Sequence, residues 1–324
     1  MSQEITPGLF RLEIPLPESP LKYLNAYLIK GPQRNLLIDT GLNRSECLEA
    51  MLTGLRQLAV ALERTDIFIT HLHADHFGLV LKLATPDSRI LFSRPEREII
   101  ENWEGFEPMI AYAARNGFPE AELRHALAKH PANRFGSDWV PDMSLLDDGD
   151  VVECGDYRFQ CVTTPGHTMG HTCLYEASRQ LLVAGDHILD DITPNIQCWS
   201  DEQNPLRHYL ASLDKTDRLA VRLALPGHRR LIHDHRARIA QLKAHHFHRL
   251  DEIRRVLRDG GLSAYQTASR MQWDIECDSW EQFPVTQKWF ATGEALAHLR
   301  FLEEAGELGR STRDGTVRFH LRHP

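Results

Sequence analysis

Thr70-His71-Leu72-His73-Ala74-Asp75-His76 places four side chains of metal-ligand type within six residues. The run closes a short apolar stretch, residues 66–70, that reads as a buried strand. Neutral imidazoles and carboxylates are the ligands expected for zinc and similar divalent metals. In an extended loop, residues two apart face one side, so His71 and His73 can share one ion. Asp75 and His76, entering a helix, can turn toward a second.

The same arrangement recurs three times. His167 lies in Thr164-Pro165-Gly166-His167-Thr168, Asp186 in Val183-Ala184-Gly185-Asp186 and His228 in Leu225-Pro226-Gly227-His228. Each follows a strand-like run, and each has glycine directly before the ligand type. Glycine permits the tight backbone such a turn needs, and a rigid sheet commonly carries its binding groups on the loops at strand ends. One H-x-H alone is incidental. Seven ligand-type residues in matching contexts are not.

The rest of the chain supplies the scaffold. Residues 23–30 and 35–39 are strand-like and are separated by the turn signal Gly31-Pro32. Residues 45–63 carry apolar positions at helical spacing, and strand patterns return at 150–163, 173–176, 180–184 and 222–225. Between them, 95–145 is aromatic-rich and helical, an insert that can serve as a lid. The alternation predicts an α/β or α+β domain with helices covering sheets. From 236 the character changes. A long amphipathic helix at 236–258 stops at Gly260-Gly261, Ser263 caps a helix at 264–271, a third helix covers 292–305, and a hairpin turns at Asp314-Gly315. That order resembles a winged helix-turn-helix unit. The division expected is therefore a catalytic domain at 1–235 and a helical, winged-helix-like domain at 236–324.

The series H-x-H-x-D-H, Gly-His, Gly-Asp, Gly-His, with Ile38-Asp39-Thr40-Gly41 ahead of it, resembles the metallo-β-lactamase-fold superfamily of metallohydrolases, in its glyoxalase II-like and LACTB2-like branch. The likeness covers about the first 230 residues. It implies an α+β fold, the αββα sandwich of two mixed sheets flanked by helices. It also implies a binuclear site at one edge, with His71, His73 and His167 on one metal, Asp75, His76 and His228 on the other, and Asp186 between them. A hydroxide would lie between the ions, and Asp75 would orient it or pass its proton on. Two divalent ions are implied, zinc first, with iron or manganese as alternatives. Members with a non-hydrolytic di-iron role usually replace the second motif histidine by Glu, so His73 favours hydrolysis.

Asp39 is a candidate partner for a ligand histidine, and His171 is expected to support the site rather than bind metal. His187, Arg229 and Arg230 are candidate substrate contacts, the arginines because a guanidinium suits a carboxylate or phosphate. The expected substrate is a small ester-like molecule, anionic or acyl-bearing, with thioesters ahead of lactones. Phosphodiester or RNA cleavage and iron-dependent sulfur dioxygenation are alternatives on the same site, and a DNA-binding regulator is a third. The net charge of −8 argues against nucleic acid as a partner. No apolar run approaches the length of about 20 residues that a membrane helix needs, and no signal peptide is visible, so a cytoplasmic location is expected. The long helix at 236–258 makes a homodimer reasonable. The six cysteines form no C-x-x-C pair and are expected as buried thiols.

Overall fold

The computed structural model describes residues 2–127 and 142–322. The chain divides into two compact units. The first comprises residues 1–102, 134–194 and 212–239, and the second 103–133, 195–211 and 240–324.

The first unit is a sandwich of two sheets. One sheet has seven strands in chain order: β1 (Ser2–Thr6), β2 (Leu9–Pro15), β3 (Tyr23–Ile29), β4 (Asn35–Ile38), β5 (Thr65–Phe68), β6 (Ile90–Ser93) and β7 (Ser144–Leu146). Its first four strands pair antiparallel, and β4 to β7 pair parallel. The other sheet has five strands, β8 (Val151–Cys154), β9 (Tyr157–Thr163), β10 (Thr172–Glu176), β11 (Leu181–Gly185) and β12 (Leu223–Pro226). Here β8 to β11 are antiparallel, and β11 pairs parallel with β12.

Period-two alternation sorts the side chains of the first sheet between two cores. Tyr27, Ile29, Leu36, Ile38 and Phe68 face the second sheet and meet Phe159, Cys161, Leu174 and Val183. Leu24, Ala26, Leu28, Leu37 and Ile67 point the other way. They meet Cys47, Met51 and Leu55 of helix α1 (Ser45–Gln57), together with Val80 and Leu83 of α3 (Val80–Leu83). Parallel strands buried on both faces need such a cover. The short α2 (Ala74–Phe77) and α4 (Arg94–Glu101) complete this part of the chain. The αββα expectation is met. The sequence runs point to no strand before Tyr23, yet β1 and β2 form an edge hairpin. The signal lies in Arg11-Leu12-Glu13-Ile14, where polar and buried apolar residues alternate, while β1 is short and mostly polar.

The second unit is helical. It holds α5 (Glu107–Arg115), α6 (Glu120–Leu127), α9 (Ala264–Ala268), α10 (Val285–Glu304) and the hairpin β13 (Leu308–Arg313) and β14 (Thr316–Leu321). The division falls inside two longer helices, α7 (Pro205–Asp217) and α8 (His235–Val256). Ile110, Ala113, Phe118, Leu123 and Leu127 pack with Trp289. The helical part of the expected insert therefore clusters with the C-terminal helices through an aromatic core; residues 128–141 of it lie outside the described residues. The helix–helix–helix–hairpin order of the tail is present. Ser263 caps α9, and the hairpin turns at Asp314 and Gly315, two residues at positive φ. Arg310 of the hairpin pairs with Asp201 and Glu303. All six cysteines are free, and five are buried. Among the described residues, no helix is long and apolar enough to cross a membrane.

Two predictions test these packings. Gly293 lies in α10, where Gly→Ala ordinarily gains about 1 kcal/mol. Trp199 stacks on Trp289 at 3.5 Å, and a Cβ at Gly293 would stand 2.6 Å from the Trp199 ring. Gly293→Ala should therefore destabilise by roughly 1–3 kcal/mol, read as a lowered denaturant midpoint. Asp66 is buried and accepts paired bonds from Arg34 and Arg89. Burial works to raise its pKa, and the two guanidiniums outweigh burial and hold it below the ordinary value. A depressed carboxylate stabilises fully above its unfolded pKa and loses that contribution as pH falls through the lower folded value. Asp66→Asn should cost about 1–2 kcal/mol at pH 7, because both guanidiniums also reach water. The gap to the unchanged chain should close below about pH 4 in thermal melts.

Candidate metal centre

The ligand-type residues stand at strand ends on one edge of the sandwich. His71 and His73 follow β5, and Asp75 and His76 occupy α2. His167 follows β9, Asp186 follows β11 and His228 follows β12. Three groups form: His71, His73 and His167; His71, His76 and Asp186; Asp75, His76 and His228. His73 Nδ1 stands 3.0 Å from both His71 Nε2 and His167 Nε2. His228 Nε2 is 3.4 Å from Asp75 Oδ2. Asp186 spans the two sets, with Oδ1 3.5 Å from His76 Nε2 and Oδ2 3.7 Å from His167 Nε2 and 3.5 Å from His228 Nε2. Zinc holds imidazole nitrogen at about 2.0–2.1 Å, which sets ligand atoms about 3.3 Å apart around a tetrahedron. The observed spacings lie close to that.

The buried hydrogen bonds aim these atoms. His76 Nδ1 donates to Asp39 Oδ2 at 2.8 Å, and His228 Nδ1 donates to the Tyr23 carbonyl at 2.9 Å. Each bond fixes the ring orientation and turns Nε2 toward the other donors, where a metal would take the place of its proton. His76 Nε2, His228 Nε2 and Asp186 Oδ1 are buried and have no hydrogen-bond partner. Orphaned polar atoms at this depth are costly, and divalent metal among these donors would satisfy them. The residues fit such ions.

Burial first, then the neighbouring imidazoles, push His71 well below its ordinary pKa, and His73 to about 3. At His76 and His228 burial also lowers the pKa, but Asp186 and Asp75, joined by Asp39 at His76, outweigh it and raise both. Burial works to raise Asp75 and Asp186, and the adjoining imidazoles hold both carboxylates low. His71 and His73 are thus held as neutral imidazoles, whereas His76 and His228 draw positive charge.

Asp39, at φ +60°, also accepts from Thr70 N at 2.9 Å and from the Thr70 hydroxyl. His171 belongs to none of the three groups. Its Nε2 accepts the Asp186 backbone N–H at 3.1 Å. His187, expected as a substrate contact, is fully buried with Nε2 3.0 Å from the Thr216 hydroxyl, so it faces the interior of the fold. Arg230 pairs with Asp190 at 2.7 Å, and Arg229 reaches Asp191 and the Pro20 carbonyl, which commits both guanidiniums to loop contacts. Glu96 was not singled out by the sequence. It is fully buried and accepts from Leu72 N and Gly170 N, each at 2.8 Å. Burial pushes its carboxyl up to about 7, against the hydrogen bonds it accepts. The visible signal was Ser93-Arg94-Pro95-Glu96, the S-x-x-E spacing of a helix start.

The sequence matches the profile described as "Metallo-beta-lactamase superfamily" over residues 21–228. The chain belongs to the metallo-β-lactamase superfamily. A second profile, "Metallo-beta-lactamase-like, C-terminal domain", matches residues 281–322. A crystal structure of a metallo-beta-lactamase family protein from Thermus thermophilus is similar with TM-score 0.82 and 30% identity, covering 98% of this chain and 100% of that one. The human acyl-coenzyme A thioesterase MBLAC2 is 27% identical over 211 residues, 63% of this chain and 72% of its own. The probable metallo-hydrolase YqjP of Bacillus subtilis (strain 168) is 23% identical over 321 residues, 90% and 92% of the two chains. The fold and the family are those of a superfamily metallohydrolase.

Gly227 tests the geometry. A Cβ there would stand 2.5 Å from Asp186 Oδ1 and 2.8 Å from His76 Cε1. Gly227→Ala should keep the far-ultraviolet circular dichroism of the unchanged chain and bind metal at least about tenfold more weakly. Elemental analysis after dialysis against a weak chelator reads the difference.

Proposed function

We propose that this chain is a binuclear metal-dependent hydrolase of acyl thioesters. The observation that carries the reading is two three-donor sets, His71, His73, His167 and Asp75, His76, His228, linked by a third group in which Asp186 joins His71 and His76, with buried donor atoms left without partners. His71, His73 and His167 would hold one ion and Asp75, His76 and His228 the other, with Asp186 serving both. Two bound divalent ions, zinc first and iron or manganese as alternatives, supply hydroxide near neutral pH and polarise a carbonyl oxygen.

The chain's own residues set the geometry around that chemistry. Asp39 and the Tyr23 carbonyl hold His76 and His228 with Nε2 forward. Asp75 is only partly buried, the most open of the carboxylates here, and is placed to accept and pass on a proton. Thioesters come first for two reasons. A thiol with a pKa near about 8.5 leaves without a strong general acid, and Asp75 is the group positioned for proton transfer. Two relatives also bear thioesterase names, MBLAC2 and the atrochrysone carboxyl ACP thioesterase of Aspergillus fumigatus, the latter 25% identical over 223 residues.

The test is metal analysis and a substrate panel on one purified sample: acyl-coenzyme A, an acyl-glutathione, a lactone and bis-p-nitrophenyl phosphate. The expected result is two metal equivalents per chain and the highest kcat/KM on a thioester. Chelator should abolish turnover, and Asp75→Asn should lower kcat by about 10²–10⁴-fold. A preference for the phosphodiester would replace the reading with a phosphodiesterase. A single iron with oxygen consumption and no hydrolysis would replace it with a dioxygenase.

A further inference from the structure

Glu96 ties together two loops that are distant in sequence. Leu72, between His71 and His73, gives its N–H to Glu96 Oε2, and Gly170, three residues after His167, gives its N–H to Oε1. The carboxylate therefore braces the two loops that carry the three-histidine set, which Asp39 also reaches through the Thr70 hydroxyl, 3.0 Å from His71 Nδ1. The approach is close. A Cβ at Gly170 would meet Glu96 at 2.6–2.7 Å and Ser93 Oγ at 2.9 Å. Ser93, the cap of α4, donates its hydroxyl to the Gly170 carbonyl at 2.6 Å. So the first turn of α4 grips Gly170 on both its N–H and its C=O. The second set hangs on different supports, Asp39 for His76 and Tyr23 for His228.

We propose that Glu96 is a positioning residue that acts on the three-histidine metal site more than on the other, whose His76 and His228 hang on Asp39 and the Tyr23 carbonyl. The inference rests on the binuclear reading above. A fully buried carboxylate is costly unless its lone pairs are satisfied. Two backbone N–H groups satisfy both of its oxygens, and they are the ones that set where the three imidazoles stand. Alanine removes both acceptors. Glutamine keeps the volume, offers one carbonyl acceptor, and turns an N–H₂ donor toward the other backbone N–H.

The experiment is cobalt(II) titration of the full-length chain and of Glu96→Gln and Glu96→Ala. It is followed by the visible d–d absorption of cobalt, metal stoichiometry and circular dichroism. The expected result is two equivalents for the unchanged chain. In Glu96→Gln, one equivalent binds as before and the other about 10–100-fold more weakly. The absorption of the weakened ion should be lost, and kcat should fall more than KM rises. Glu96→Ala should show the same split, larger. Two findings would overturn the assignment: a folded Glu96→Gln that binds both ions with unchanged affinity, or one that weakens both equally. Failure of the unchanged chain to bind two ions would instead remove the binuclear reading itself, and this assignment with it.

Discussion

Parallel strands end at the same edge of a sheet, and antiparallel neighbours end at opposite edges. The centre depends on that constraint. β4 and β5 are parallel and deliver Asp39 and the histidine run side by side. β11 and β12 are parallel, and Gly185 pairs across from Pro226, so Asp186 and His228 follow at neighbouring points. The Gly227 N–H, bonded to the Gly185 carbonyl at 2.7 Å, carries the ladder one step beyond the strands. β9 runs antiparallel to β10, which runs antiparallel to β11, so β9 shares the direction of β11 and brings His167 to the same edge. The inter-sheet core of Tyr27, Phe68, Phe159 and Leu174 then holds the two edges against each other.

Electrostatics divides what topology gathers. His71 and His73, both held below their ordinary pKa, stand with His167 in one half. The other half concentrates Asp75 and Asp186 at the ligand positions and Asp39 behind them. Asp39 accepts the left-handed backbone at φ +60°, unusual outside glycine, because its carboxylate there reaches both Thr70 and His76. Backbone strain and a buried charge are accepted at one residue, and the gain is a fixed direction for a ligand on another strand.

The fold was legible where a period could be read. Residues 23–30 are rich in strand formers and end at the Gly31-Pro32 turn, and β3 occupies 23–29. The amphipathic run at 236–258 is close to α8. The cluster of ligand-type residues was legible because identity is local, H-x-H-x-D-H and three Gly-led residues. Periodicity reports that a face is apolar, not what covers it. That is why 95–145 read as an insert with a separate role, whereas Phe118 and Leu123 in fact join Trp289, more than 160 residues away in sequence, in one helical core. His187 misled for a related reason. A histidine beside a ligand suggests a site, but the strand end turns it inward to Thr216.

What sequence inspection passed over has a common form. Ligand identity is a property of one residue, but ligand direction is set by partners far along the chain. The Tyr23 carbonyl acts on His228 across 205 positions and Glu96 on Gly170 across 74, whereas Asp39, which the sequence did offer as a histidine partner, acts on His76 across 37. Two of these supports, at Tyr23 and Gly170, use main-chain atoms that every residue type carries, so no motif marks them. Glu96 carries a motif, but the wrong one for its role. Its spacing from Ser93 announces a helix start, and the carboxylate instead serves loops from β5 and β9. A helix N-terminus set against two ligand loops thus does two jobs with one turn: Ser93 caps the helix and grips Gly170, while Glu96 leaves the capping role open to brace the metal loops.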